Sequence, residues 1–435
     1  MQLTKLSHRL SLLPLAILLC MPGHAVAQAG QLDSTFANRG IFTGPVGATG
    51  YALAIQSDGK IVIAGTGILN NAFSFMLIRL NTNGTLDNNF GTGGVVNLIP
   101  SGVYTVFGLF GLAIQSDGKI LAGAASGGGP QGDVIQVARF ETNGSLDTSF
   151  GTEGFTPIVA VPTGISGNIA LQPDGAILAA AGMGNPSEMA RFTSSGQLDT
   201  TFGSGGIVNL ANPGPTQIAV QPNGQILVGS GEPSRLVSQP QPAAQAGTIS
   251  RYNADGTLDK TFGASGTVSS VASVSALVLE STGKIVVAGV LTSKVNAPPT
   301  QNNLGFGVAR YNSNGTIDKT FGAGGVAIAD FGPSAPASAA YAAAVQSNGD
   351  IVAGGAAGSA GNVVSSFGLA RFTSAGKLDA TFGSGGIVMT TVAANQYSWV
   401  AGLEIQSDGK IVAVGSSGVP GSQNSAPYAA RYLAQ

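Results

Sequence analysis

Gly84-Thr85-Leu86-Asp87-Asn88-Asn89-Phe90-Gly91 decides the fold, because its core is repeated along the whole chain. Leu-Asp-x-x-Phe also begins at Leu32, Leu146, Leu198, Leu258 and Leu378, and as Ile-Asp-x-x-Phe at Ile317. Its aspartates are Asp33, Asp87, Asp147, Asp199, Asp259, Asp318 and Asp379, and they follow one another at a near-regular interval. Self-similarity at a regular interval marks a repeat architecture.

Two further elements recur in order with it. An apolar run ends in a tight turn at Asp58-Gly59, Asp117-Gly118, Asp174-Gly175, Asn223-Gly224, Thr282-Gly283, Asn348-Gly349 and Asp408-Gly409. Asp-Gly and Asn-Gly between alternating apolar residues signal a hairpin, so runs such as Lys60-Ile61-Val62-Ile63-Ala64-Gly65 read as return strands. A third apolar run ends in arginine plus an aromatic or Leu, at Arg79, Arg139, Arg191, Arg251, Arg310, Arg371 and Arg431. With the Leu-Asp segment read as a fourth, outermost strand, each unit is a four-stranded antiparallel blade. Radial repetition of such units gives an all-β, seven-bladed β-propeller in a single domain.

The ends of the chain argue for a ring over a solenoid. Within six repeats the arginine precedes the aspartate by eight positions, as in Arg79 to Asp87. Joining Gln435 to Gly30 places Asp33 eight positions after Arg431 as well. The chain therefore reads as a closed ring cut in one hairpin, with the N-terminal strand completing the last blade. A solenoid would need polar caps at both ends, and none is visible.

Gly-x-Leu-Asp-x-x-Phe-Gly, Asp-Gly-Lys-Ile and Ala-Arg-Tyr-Asn together resemble the bacterial delta-60 repeat family (DUF5122-like β-propellers). The resemblance covers nearly all of residues 30–432. It implies the propeller fold and export, and it transfers no catalytic residue.

Residues 1–27 read as a leader. Lys5, His8 and Arg9 precede the apolar run Leu10–Leu19, and Ala25-Val26-Ala27 offers a cleavage site. The run is too short for a stable membrane anchor. Acylation at Cys20 is the alternative, but Leu19 stands where a small residue is wanted. The expected mature chain is 28–435, a monomer in the periplasm or beyond, with no transmembrane segment. It has no cysteine and no histidine, since Cys20, His8 and His24 all lie in the leader. Without Lys5 and Arg9 it carries 17 basic and 21 acidic residues, a net charge of −4. No basic run supports nucleic-acid binding.

The repeated Arg and Asp invite a chemical reading, but a catalytic group is needed once and a structural device once per blade. They read as a cross-strand charged pair or as aspartates capping local amides. The recurrent Phe reads as packing. Gly91-Thr92-Gly93-Gly94 lacks the Lys-Ser/Thr and helix of a phosphate loop and reads as a crossover between blades. The Asp-Gly-Lys turns lack the ligand set of a calcium loop. No cofactor is assigned, and calcium is the one that stays open.

Specificity should then lie where blades differ, in the loops. The longest are 231–247 and 291–304, in adjacent blades. They carry Arg235, Leu236, Val237 and Lys294, with Trp399 expected near the same face. The primary expectation is a binding or scaffold module for a protein or glycan partner, with these residues as its face. Neutral insertion is the bland reading of the same loops. The alternative function is a carboxylate- or calcium-dependent hydrolase or lyase, which a cluster of unrepeated carboxylates around the central channel would favour. The mature chain has no His or Cys for a Ser-His-Asp triad or the usual zinc site.

Overall fold

The computed structural model describes residues 28–69, 72–99, 105–129, 132–161, 167–182, 187–231, 246–291, 305–358, 364–418 and 424–435. These form seven four-stranded antiparallel sheets, with no helix among the described residues. The inner strands are Thr49–Ile55, Thr105–Ile114, Gly167–Leu171, Pro215–Val220, Ala276–Leu279, Ala337–Val345 and Ser398–Ile405. Each contacts the next, and the last contacts the first, so the blades close a ring. Blades are numbered one to seven in that order.

The second strand of each blade is sandwiched between neighbouring blades and is almost wholly buried, as in Ile177–Ala181 and Ile351–Gly358. That position suits small or branched apolar residues, and the chain supplies Val, Ile, Ala and Gly. Val62, Ala64 and Leu77 of blade one pack against Ile120, Ala122 and Phe140 of blade two. The inner strand of blade one is irregular between Gly50 and Ala52, which brings a carbonyl against Gly65. A Cβ there would lie 1.9 Å from Thr49 O, so only glycine fits.

The Leu-Asp segment is not the fourth strand. Leu86 makes a single bridge to Leu80, and the chain then turns. The outer strand is Val95–Leu98, which pairs with Phe75–Ile78. The Asp87 carboxylate accepts the Asn89 amide and bends the chain, and Gly91 and Gly94 at φ +53° and +92° double it back. The Gly-rich stretch expected as a crossover therefore leads into the fourth strand, and the crossover follows that strand.

The ring closes as the end spacing predicts. Ile41–Thr43 pairs with Tyr428–Ala430 as the outer strand of blade seven. Antiparallel order puts two sets of connections on each face. The Asp-Gly turns and the arches carrying Leu-Asp-x-x-Phe share one face, the clamp face. The connections between second and third strands share the other, the loop face, with the crossovers.

Candidate functional site

The seven arginines and seven aspartates form one device repeated around the clamp face. Arg Nε lies 2.7–3.0 Å from the aspartate Oδ2 in every blade, from Arg79–Asp87 to Arg431–Asp33. In six blades the aspartate Oδ1 accepts both the amide and the hydroxyl of the residue two positions on, as from Thr35, Ser149 or Thr201. The aspartate thus forms an ion pair between the third strand and the arch that follows it, and caps that arch's turn. The guanidinium lies 4.4–4.8 Å from the ring centroid of its own blade's Phe, a contact worth about 0.5–2 kcal/mol.

The same arginine also reaches the next blade. Arg139 Nη1 donates to Ser194 O at 2.9 Å, Arg310 Nη1 to Ser374 O at 2.7 Å and Arg371 Nη1 to Ala434 O at 2.7 Å. Arg431 Nη1 donates to Thr82 O and so joins blade seven to blade one. One side chain thus ties together the strand, the turn and the neighbouring blade. Lys60, Lys119, Lys284 and Lys410 add a second cation to four of the aspartates.

These contacts set the carboxyl pKa values. Burial opposes ionisation of Asp33, but the Thr35 hydroxyl and amide, the Arg431 charge and Lys410 outweigh it and bring the group down to about 2. Burial likewise opposes, and is outweighed by, the hydrogen bonds and charges that lower Asp87 and Asp379. At Asp199 and Asp259 the Thr hydroxyl is the leading cause of the lowering.

Of the expected binding face, Arg235, Leu236, Val237 and Lys294 lie outside the described residues. Trp399 is near the start of its inner strand, towards the loop face. It is only 2 % exposed, however, and packs with Tyr341, Ala356 and Tyr397. The junction of blades six and seven encloses the ring, which therefore presents no surface to a partner. This corrects its place in the expected site.

The loop face exposes an apolar group outside the expected one. Val46, Ile68 and Phe73 are 74, 44 and 37 % exposed. Ile68 and Phe73 are register partners at the ends of their strands. Val46 lies in the adjoining crossover, where a Cβ on Gly47 would lie 3.8 Å from Ile68 Cδ1. The signal in the sequence is compositional. Blade one keeps large apolar residues at this connection, where blades two and seven carry Gly127-Gly128-Gly129 and Ser416-Ser417-Gly418.

The inner strands carry one carboxylate, Glu404, among the described residues. It is exposed, yet the protein surrounding it desolvates the charged form and pushes its carboxyl up to about 7. A pair of acids, as carboxylate hydrolysis requires, is not formed on these strands. No group of three His, Cys, Asp or Glu able to hold a metal occurs among the described residues.

Among solved structures the chain is similar to polysaccharide lyase Uly1, at 11 % identity, TM-score 0.47, covering 89 % of this chain and 90 % of that one. It is also similar to a functionally unknown protein from Desulfotomaculum acetoxidans, at 18 % identity, TM-score 0.43, covering 79 % and 89 %. The β-propeller domain of the Trilobed protease from Pyrococcus furiosus matches at 11 % identity, TM-score 0.43, covering 86 % and 92 %. No curated protein matches the chain. The family model described as a domain of unknown function (DUF5122) β-propeller matches residues 56–90, 115–150, 172–202, 280–321, 346–382 and 406–435. Each matched unit but the last runs from near an Asp-Gly-type turn to the clamp Phe, so the match falls on the residues that build the ring. The chain belongs to the DUF5122 β-propeller family.

Proposed function

We propose that residues 28–435 form an exported binding module that engages a protein partner through its loop face. The observation that carries this reading is the exposed group Val46, Ile68 and Phe73. Burying these side chains against a partner removes apolar surface from water, the main driving force of association. A group without hydrogen-bonding atoms favours a protein over a glycan. The clamp face supports the division of labour, because its arginines and aspartates are already engaged in holding the ring. The leader-like start of the chain supports export.

The hydrolase or lyase reading has Glu404 in its favour, since a carboxyl near pH 7 suits a general acid. It lacks a second carboxylate among the described inner strands, so binding is the stronger reading.

The test compares residues 28–435 with an Ile68→Asp/Phe73→Ser variant in pull-downs from cell-envelope extract. A protein retained by the native chain is identified, purified and titrated against both forms. Direct binding weakened at least tenfold by the variant supports the loop face. Equal affinity for both forms, or no protein retained by either, overturns it.

A further inference from the structure

A cleft of about 620 Å³ opens on the clamp face between blades one and two. Small-ligand sites commonly enclose about 300–1,000 Å³. The Asp58-Gly59 turn of blade one and the Asp117-Gly118 turn of blade two both line it, with Arg79 and Asn89 from blade one and Thr142 and Asn143 from blade two.

Asn89 departs from the repeat. The six other blades carry Thr or Ser at its position, and that hydroxyl is tied to the clamp aspartate. Asn89 gives Asp87 only its main-chain amide. Its exposed carboxamide makes no hydrogen bond within the described protein. The hydroxyls of Ser57 and Ser116, Asp117 Oδ2 and Asn143 Nδ2 are likewise without partners among the described residues, and all four residues are exposed in the cleft lining. Asp117 Oδ1 and Asn143 Oδ1 are engaged in their own turns, by the amides of Lys119 and Ser145.

The cations of the lining are engaged too. Arg79 is held by Asp87 and by Thr142 O, and Lys60 by Asp58 and Asp87. An anion would find no free cation here. Asp117 alone supplies too few oxygens for calcium, which takes about six to eight. A hydroxyl, by contrast, can donate to Asp117 and accept from Asn89 or Asn143 at once. Half-buried Ile114 offers an apolar contact for C–H groups. We propose that this cleft binds a small neutral sugar, with Asn89 and Asp117 as the groups that hold its hydroxyls from the two blades. The site lies on the face opposite the loop face and is independent of the loop-face reading.

The test is calorimetric titration of D-glucose, D-galactose, D-mannose and N-acetyl-D-glucosamine into residues 28–435. At least one should bind at a single saturable site, and inorganic phosphate should not displace it. Asn89→Thr introduces the residue of five other blades and so preserves the fold, and it should weaken that sugar about tenfold. Asp117→Asn should do the same. Its turn stays capped, because Asn223 and Asn348 cap the equivalent turns of blades four and six. Asp174→Asn makes the same change in blade three, outside the cleft, and should leave affinity unchanged. No heat with any of the four sugars, displacement by phosphate, undiminished binding by Asn89→Thr, or an equal loss in Asp174→Asn would each overturn the site.

Discussion

Arg431 Nη2 lies 2.9 Å from Asp33 Oδ2, joining residues from the two ends of the chain. The other six clamps join residues eight positions apart, so this one alone depends on the ends meeting. Both side chains are nearly buried. Asp33→Asn would leave the Arg431 charge with a weakened partner, and breaking a buried pair costs about 3–5 kcal/mol. Asp259→Asn, in the continuous blade four, should cost a similar amount. The two should differ in hydrogen exchange. Only Asp33→Asn should raise exchange across residues 28–43, because only that segment can leave without dragging a covalent connection on both sides. Equal protection of 28–43 in both variants would show that the outer strand, and not the clamp, holds the ring shut.

The cut itself should be movable. Ala29 O accepts the Gly383 amide at 2.8 Å, just as Asn83 O accepts the Ala37 amide at 2.7 Å. Ala434 O accepts Arg371 as Thr82 O accepts Arg431. Ala434 and Ala29 thus occupy consecutive positions of one turn. A permuted chain with Ala434 joined to Ala29 and new ends between Asn314 and Gly315 keeps every clamp. Its Tm should fall within a few degrees of the native value. A large drop would mean that the seven turns are not equivalent.

Acid should open the ring. For a carboxylate lowered on folding, the stabilisation is present above the unfolded pKa and is lost as pH falls through the folded one. For Asp33 that window runs from 3.8 down to about 2, and Asp87, Asp199, Asp259 and Asp379 shift in the same direction. Urea midpoints should therefore hold near pH 5 and fall steeply between about pH 4 and 2. A flat profile over that interval would deny the clamps their role.

One clamp position is strained, and relieving it should stabilise the protein. The residue after the clamp Phe is glycine in six blades, at φ +50° to +55°. In blade seven it is Ala37, at φ +45°. A left-handed conformation costs a non-glycine residue about 1–2 kcal/mol, partly offset by the entropy that glycine loses on folding. Ala37→Gly should raise stability by about 0.5–1 kcal/mol, read from the urea midpoint at constant m-value. No gain would place the strain elsewhere.

What the sequence could and could not show follows from what repeats. Arg79 and Asp87, eight apart as in the five other units that are continuous in the chain, carry the clamp because spacing alone brings them across a hairpin. The closure is legible for the same reason, from Arg431 and Asp33. The fourth strand is harder to place, since Leu86-Asp87 has the apolar look of a strand while Asp87 bends the chain by taking the Asn89 amide. That hydrogen bond has no signature in periodicity. Trp399 shows the limit of position without burial: it lies towards the expected face, but Tyr341 and Tyr397 enclose it. Ile68 and Phe73 are apolar residues on an apolar strand pair, and only the end of the hairpin makes them surface.

Glu404 gives the remaining prediction, with a sign opposite to that of the clamps. Its carboxyl is raised on folding, from 4.5 to about 7, because desolvation disfavours the charged form. Such a group favours the folded state fully below the unfolded pKa, and the advantage is lost as pH rises through the folded one. Over the interval from 4.5 to about 7, therefore, the native chain should lose stability relative to Glu404→Gln, which cannot ionise. The clamps are common to both proteins, so their contribution cancels in the comparison. Thermal melts of both proteins at pH 5, 6, 7 and 8 should show curves that separate progressively and run parallel above about pH 8. Parallel curves over the whole range would show that the folded protein leaves the carboxylate as well solvated as it is in the unfolded chain.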